Sequence, residues 1–176
     1  MTVHPFDPLR ALRVLVEHRV RFVVIGGIAG RLWGSPTVTN DLDLCHDTTP
    51  VNLEALAGAL RVLEARLRGA EDEVRWRPGT ATLAAADSFT LATSAGNLDL
   101  LARPAGTCGY DDLSATAMEL DVGGVVVAVA ALEDLLRMKR AAGRPKDLIE
   151  AEVLGAVLEE RDAGPADQPP GGATGA

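Results

Sequence analysis

Residues 22–44 read FVVIGGIAGRLWGSPTVTNDLDL, and this stretch decides the predicted fold. It begins with Phe22–Ile25, whose apolar and β-branched side chains are typical of a buried strand. Gly26 and Gly27 end that strand, and Ile28–Trp33 has the length of one or two helical turns. Gly34-Ser35-Pro36 then predicts a turn, so the chain reverses before the next apolar segment.

The segment Thr39–Cys45 predicts a second strand that carries Asp41 and Asp43. Side chains alternate along a strand, so the two aspartates share one face and the leucines between them share the other. Adjacent carboxylates repel each other unless a cation lies between them. Mg²⁺, which prefers oxygen ligands, would remove that repulsion. Glycines at 26 and 27 would let the backbone approach a phosphate, so the stretch predicts a metal-nucleotide site.

This succession of strand, Gly-Gly, short helix and Asp-apolar-Asp resembles the DNA-polymerase-β-like nucleotidyltransferase superfamily. It is most similar to the small bacterial members, the minimal nucleotidyltransferases and the nucleotidyltransferase toxins. The resemblance implies an α/β (α+β) fold with a mixed β-sheet flanked by helices and a short helical C-terminal part. A lone Asp-Leu-Asp is weaker evidence, since a turn followed by a solvated acidic strand would also contain it.

Asp99 is the third candidate carboxylate. Phe89–Thr93 and Asn97–Leu101 flank a short glycine-containing turn and predict a β-hairpin. Asp99 lies among leucines in the second strand, where an unpaired carboxylate is costly to bury. The resemblance implies that it completes a catalytic and metal-binding triad with Asp41 and Asp43, and that it accepts the proton of the attacking hydroxyl. The alternative is a charged residue that protects an edge strand.

A second motif, KRAAGRPKDLIEAEVL, occupies residues 139–154. It resembles a signature of the small bacterial transferases, a lysine on one helix followed by Arg-x-Lys-Asp at the start of the next. By that match Lys139, Arg144, Lys146 and Asp147 line the cleft opposite the triad, where basic side chains could neutralise a triphosphate. Asp147 is expected to cap its helix and to orient Lys146. The alternative is a set of solvated charges at helix ends.

The predicted nucleotide-binding set also includes Gly26, Gly27 and Thr39. The sequence departs from many relatives at Thr37, where an Arg-x-Thr-x-Asp pattern would place an arginine. Loss of that positive charge would weaken a phosphate contact or mark a different substrate. The three aspartates are unaffected by this departure.

The remaining segments predict one domain over residues 1–161, followed by a disordered Pro/Gly/Ala-rich tail over residues 162–176. Helices are predicted over Pro8–Val20, Pro50–Arg68, Leu132–Ala142 and from Arg144 to about Arg161, with a hairpin over Leu120–Ala130. His46 is predicted to be a surface histidine. Trp76 either stacks on a base or shields an edge of the sheet.

Composition limits the partners and the compartment. The net charge of −8 argues against an extended grip on duplex DNA, although a local basic patch could hold an RNA end. No apolar run approaches the length of a membrane span, and the first residues lack a signal-peptide pattern. Two cysteines, Cys45 and Cys108, form neither a disulfide framework nor a metal-ligand spacing, so a reducing cytoplasm is expected.

The functional hypothesis is Mg²⁺-dependent transfer of a nucleoside monophosphate from an NTP to a hydroxyl acceptor. The acceptor is expected to be RNA, including the 3′ end of tRNA, or a partner protein such as a cognate toxin or antitoxin. One alternative is a small antibiotic-like acceptor. Another is a non-catalytic, antitoxin-type binding module of the same fold, which Thr37 and the short C-terminal region motivate.

Overall fold

The computed structural model describes residues 5–69 and 76–164. The helices are α1 Pro8–Glu17, α2 Gly26–Leu32, α3 Pro50–Val62, α4 Thr80–Ala84, α5 Tyr110–Ser114, α6 Leu132–Ala142 and α7 Pro145–Asp162. The strands are β1 Phe22–Ile25, β2 Asp41–His46, β3 Arg66–Leu67, β4 Ser88–Thr93, β5 Gly96–Leu101, β6 Met118–Val122 and β7 Val125–Val129. Residues 165–176 of the predicted disordered tail lie outside the described part of the chain.

The strands form a seven-stranded sheet in the order β3-β4-β5-β2-β1-β7-β6. Strand β2 pairs antiparallel with β1 and parallel with β5, and β1 pairs parallel with β7. The β4–β5 and β6–β7 pairs are antiparallel hairpins, both near their predicted positions. The predicted mixed sheet flanked by helices is therefore confirmed.

One face of the central strands supplies much of the core. Leu42 and Leu44 of β2 and Leu98 and Leu100 of β5 are almost fully buried, in one cluster with the leucines of α3. The opposite face of the same strands carries the aspartates. The alternation predicted from the sequence thus separates a packing face from a polar face. Among the described residues, no helix is both long enough and apolar enough to cross a bilayer.

Helix α3 is shorter than the sequence predicts. The predicted helix runs to Arg68, because Leu63 and Leu67 continue the spacing of the preceding leucines. The helix instead ends at Val62, and Glu64 adopts a left-handed conformation with φ 52°. The chain then enters strand β3, where Leu67 packs against the core from a strand. The prediction for this segment was wrong because the leucine spacing fits a helix and the following strand equally well.

Two other predicted boundaries differ from the structure. Helix α2 begins at Gly26, so both glycines belong to its first turn, and strand β2 begins at Asp41, so Thr39 lies before the strand. Helix α4 was not predicted.

Trp76 packs against Phe89 of β4, with ring centroids 5.9 Å apart. This contact corresponds to the second of the two roles considered for Trp76, the shielding of a sheet edge.

His46 is buried, and the prediction of a surface position was wrong. The residue is 1% exposed at the end of β2, and neither ring nitrogen has a hydrogen-bond partner among residues 5–69 and 76–164. Burial lowers the pKa of His46, an effect that neighbouring Asp47 partly opposes. His46 is two residues after Leu44 in β2, so it lies on the packing face with Leu42 and Leu44. The sequence did not reveal this position because turn residues directly follow His46.

The His46→Leu variant is expected to gain about 1 kcal/mol of unfolding free energy at pH 7.5, because it removes an unpaired buried polar ring. A lowered folded-state pKa means that the unfolded chain binds the proton more tightly. The stability of the wild type relative to His46→Leu should therefore fall as pH drops below about 6.5. Urea unfolding between pH 5 and pH 7.5 checks both effects. Parallel pH curves for the two proteins would contradict the assignment.

Candidate active site

The three predicted carboxylates lie on one face of the sheet. Asp43 of β2 is the register partner of Asp99 of β5, and Asp41 lies two residues before Asp43. Residues paired across neighbouring strands point to the same face, as do residues two apart on one strand. All three side chains remain partly exposed, so a ligand can reach this face.

The electrostatics of Asp43 reflect this crowding. Burial, followed by the charges of Asp41 and Asp99, raises the pKa of Asp43 to about 6, although Lys139 and a bond from the Gly27 N–H favour the ionised form. The pKa of Asp99 is also raised, chiefly by burial, against the opposing charge of Arg68. A bound cation would relieve both effects.

The two glycines make room for the acidic strand. Gly26 has φ 64°, and a Cβ atom there would lie 2.0 Å from Oδ2 of Asp43. A Cβ atom on Gly27 would lie 2.7 Å from Cβ of Thr39. Thr39 in turn donates from Oγ1 to Oδ1 of Asp41 at 2.6 Å. The glycine pair therefore makes its close approach to the side chains of Asp43 and Thr39. The approach of this backbone to a phosphate remains a prediction.

Basic residues of α6 and α7 act on the same face. Lys139 and Arg144 interact electrostatically with Asp43, and Lys146 interacts with Asp99. The structure therefore brings the second motif opposite the acidic strands. Arg144 and Lys146 are exposed, whereas Lys139 is largely covered.

Asp147 organises these cations from a fully buried position. It accepts hydrogen bonds from Lys139 Nζ at 3.2 Å and from Arg144 Nε at 2.5 Å. Lys139 also pairs with Glu150. Burial opposes ionisation of Asp147, but the bonds from Arg144 and Lys139 outweigh it and hold the pKa of Asp147 below its ordinary value.

The predicted roles of Asp147 differ from the structure in two respects. Its side chain does not cap α7, whose N-cap residue is Arg144 without a side-chain capping bond. Among the described residues, its side chain accepts hydrogen bonds from Lys139 and Arg144, so it orients these two residues and not Lys146. The helix begins with Pro145, which places Asp147 at the third helical position, facing back towards α6.

Asp147→Ala is expected to lower the unfolding free energy by about 3 kcal/mol, because it leaves the largely covered Lys139 with one partner instead of two. Lys146→Ala removes an exposed charge and should change stability by less than about 0.5 kcal/mol. Urea unfolding of the two variants beside the wild type tests this contrast. Equal stabilities for the two variants would show that Asp147 does not hold this cluster together.

Arg68 is a site residue that the sequence analysis missed. Its Nη2 donates to Oδ1 of Asp99 at 2.6 Å, and its backbone N–H donates to the carbonyl of Thr90. The error in helix α3 concealed it, since Arg68 was assigned to the end of a packing helix. The alternation Arg66-Leu67-Arg68, polar residues on either side of an apolar one, is the strand signal that could have revealed it.

The donor set fits Mg²⁺ in its chemistry, since it offers carboxylate oxygens from three neighbouring aspartates. Burial, followed by the charges of Asp41 and Asp99, raises the pKa of Asp43, and a cation would favour its ionised form. Asp41 and Asp99 are each bonded to another side chain, Thr39 and Arg68 respectively. Within residues 5–69 and 76–164, no three acidic, histidine or cysteine side chains are already gathered as a metal cluster. Of the three aspartates, Asp43 is the one that makes no hydrogen bond to another side chain within the described residues.

Solved structures with a similar fold are nucleotidyltransferases. The antibiotic-resistance factor ANT(2'')-Ia in solution is 16% identical, with a TM-score of 0.55 over 88% of this chain and 83% of that chain. Its crystal structure with adenylyl-2''-tobramycin gives the same identity and TM-score over 88% of each chain. The lincomycin-bound lincosamide antibiotic adenylyltransferase LnuA is 15% identical, with a TM-score of 0.55 over 85% of this chain and 95% of that chain.

No protein-family model matches the chain, and no curated protein matches it. The structural likeness, at these identities, concerns the fold. The chain therefore has the fold of these nucleotidyltransferases, and the predicted nucleotidyltransferase fold is confirmed.

Proposed function

We propose that this protein transfers a nucleoside monophosphate from an NTP to a hydroxyl acceptor in a Mg²⁺-dependent reaction that releases pyrophosphate. The observation that carries the proposal is the register of β2 against β5, which pairs Asp43 with Asp99 on an accessible face beside Asp41. Cations from α6 and α7 lie opposite these carboxylates. Acidic residues facing basic ones suit a substrate made of a metal ion and a polyphosphate.

Asp41, Asp43 and Asp99 are the residues that would hold Mg²⁺. When bound there, the ion would supply charge neutralisation at the entering and leaving oxygens of the displacement. Asp99 would accept the proton of the acceptor hydroxyl, and the rise in its pKa, caused first by burial, would favour that role. Lys146 and Arg144 are exposed cations that would bind triphosphate oxygens. Lys139, held by Asp147 and Glu150, would supply positive charge near Asp43 without leaving its ion pairs.

The proposed acceptor is an RNA end, such as the 3′ end of tRNA, with a partner protein of a toxin–antitoxin pair as the other macromolecular acceptor. The proposed organisation is a single domain ending near Asp162, where α7 ends. The free cysteines Cys45 and Cys108 support a reducing cytoplasm as the compartment. Thr37, half-buried and bonded to Ser35, takes the place of the arginine of many relatives, so phosphate binding would depend more on α7.

A transfer assay tests the proposal. The protein is incubated with Mg²⁺, total RNA and each α-labelled NTP in turn, and both labelled RNA and pyrophosphate are measured. We expect transfer from one or two NTPs by the wild type and by Glu119→Gln, which removes a negative charge from the far edge strand β6. The Asp41→Asn variant should be inactive. Equal labelling by Asp41→Asn and the wild type would refute the assigned role of the triad.

A small antibiotic is the second acceptor class, because the structurally similar proteins include ANT(2'')-Ia in complex with adenylyl-2''-tobramycin and lincomycin-bound LnuA. The same assay with tobramycin or lincomycin in place of RNA separates the two classes. Labelling of an antibiotic but not of RNA would assign the protein to the second class.

A further inference from the structure

The sheet face that carries the triad continues outward to two arginines. Arg66 pairs with Ala92, which pairs with Asn97, which in turn pairs with Asp41. A second row begins at Arg68, whose N–H bonds to the Thr90 carbonyl, and Thr90 pairs with Asp99. Directly paired residues share a face, so Arg66 and Arg68 both lie on the face of the aspartates.

Among the residues that the structure describes, this outer part of the face is uncovered. Along β4 the exposed side chains are Ser88, Thr90 and Ala92, whereas the alternating Phe89 and Leu91 are buried on the other face. These three small side chains keep the surface low beside Asp99. Strands lie about 4.8 Å apart, so Arg66 lies roughly 14 Å from Asp41 across this surface. The dimensions suit an extended ligand that reaches from the triad to the edge strand.

Arg68 uses only part of its hydrogen-bonding capacity in its bond to Asp99. Its side chain is 33% exposed, and in the described part of the chain the guanidinium donates one bond, from Nη2 to Asp99. A guanidinium has five N–H donors arranged to bind phosphate oxygens in pairs. Arg66, two residues away, is exposed. The edge strand therefore offers two cations to a negatively charged ligand on the open face.

We propose that Arg66 and Arg68 form a subsite for phosphate groups of the acceptor, adjacent to its reacting hydroxyl. This inference rests on the proposed function, because it names the chemistry of the acceptor in that reaction. An acceptor that carries several amino groups, such as tobramycin, would be repelled by the two arginines.

The test measures acceptor binding without NTP or Mg²⁺, so that it does not depend on the transfer reaction. The probe is a fluorescently labelled single-stranded oligoribonucleotide of about six nucleotides with a free 3′ hydroxyl. Its binding is measured by fluorescence anisotropy at several salt concentrations. Competition by ribose 5-phosphate distinguishes a small phosphate ester from a nucleic-acid chain. The variants are Arg66→Gln, Arg68→Gln and Arg68→Lys. The control is Arg61→Gln on α3, an exposed arginine outside this face.

We expect each glutamine variant at 66 or 68 to weaken binding roughly tenfold, the loss typical of one charge-assisted contact. The slope of log affinity against log salt should fall by about 0.7 for each arginine removed. Arg68→Lys should retain that slope, and Arg61→Gln should behave as the wild type. Arginine-dependent binding of ribose 5-phosphate alone would also support the subsite, with a small phosphate ester as the acceptor.

Two results would overturn the subsite. One is a wild type that binds neither the oligoribonucleotide nor ribose 5-phosphate. The other is binding that the substitutions at 66 and 68 leave equal to that of Arg61→Gln. A parallel titration of NTP with Mg²⁺ separates this failure from failure of the proposed function, since Arg66→Gln, which changes no residue that contacts the triad, should bind NTP as the wild type does. Loss of the subsite with intact NTP binding would leave the transferase proposal standing.

Discussion

Asp43→Asn is expected to stabilise the fold while reducing nucleotidyl transfer by on the order of a thousandfold. The activity loss follows from the position of Asp43 between Asp41 and Asp99, where its charge would help to hold the proposed Mg²⁺. The stability gain follows from the same position, because burial and the two neighbouring carboxylates make ionisation of Asp43 unfavourable in the folded chain. Asparagine has a similar shape and carries no charge.

The stability difference between the wild type and Asp43→Asn should depend on pH in a defined direction. The pKa of Asp43 rises from 3.8 to about 6 in the folded chain, so the folded state binds its proton more tightly than the unfolded state. Wild-type stability should therefore decrease relative to Asp43→Asn as pH rises from about 4 to about 6. The full difference, about 2 kcal/mol after allowance for partial exposure, should persist at pH 7. Urea unfolding across this range measures it, with Asp87→Asn, at an exposed position immediately before β4, as the control.

A difference between wild type and Asp43→Asn that did not change with pH would contradict the crowded environment assigned to this carboxylate. Added Mg²⁺ offers a second comparison. It should stabilise the wild type more than the variant, since an ion that binds only the folded state shifts the unfolding equilibrium.

Gly26→Ala is expected to lower the unfolding free energy by about 3 kcal/mol or more. One part of the cost is the φ of 64°, which an L side chain rarely adopts. The other part is the clash of the new Cβ with Oδ2 of Asp43, only 2.0 Å away. The backbone or the carboxylate must move, so transfer activity should be lost as well.

Gly155→Ala is the matched control for that substitution. Gly155 lies within α7, and a Cβ atom there would have nothing within 4 Å. Alanine should therefore stabilise this helix by about 0.5 to 1 kcal/mol. A double-mutant cycle with Asp43→Ala adds a specific check, because removing the carboxylate should restore part of the stability lost in Gly26→Ala. Strict additivity would show that the clash with Asp43 does not contribute.

The sequence predicts the acidic part of the site well because local rules determine it. Strand alternation alone places Asp41 and Asp43 on one face, and the hairpin prediction places Asp99 on a strand. Which strand lies beside which is a matter of tertiary structure. The family resemblance implied that Asp99 lies on a strand next to the acidic pair, whereas the parallel pairing of β2 with β5 and the register of Asp43 with Asp99 emerge only from the structure.

The errors have a common physical origin in packing across distant segments. Leu67 satisfied the leucine spacing of a helix, so the turn at Glu64 and the strand carrying Arg68 were missed. His46 looked like a loop residue, although the end of β2 is enclosed by the core. The partners of Asp147 were also misassigned, since its bonds extend back to α6 and depend on how two helices meet.

The most direct test of the metal-nucleotide site is calorimetric titration of each NTP, with and without Mg²⁺, into the wild type and the Asp41→Asn/Asp43→Asn double variant. The account predicts binding of at least one NTP that requires Mg²⁺ and disappears in the double variant, while unfolding measurements show that the variant is folded. Absence of NTP binding by the folded wild type, or equal binding by both proteins, would contradict the site and favour a non-catalytic partner module with the same fold.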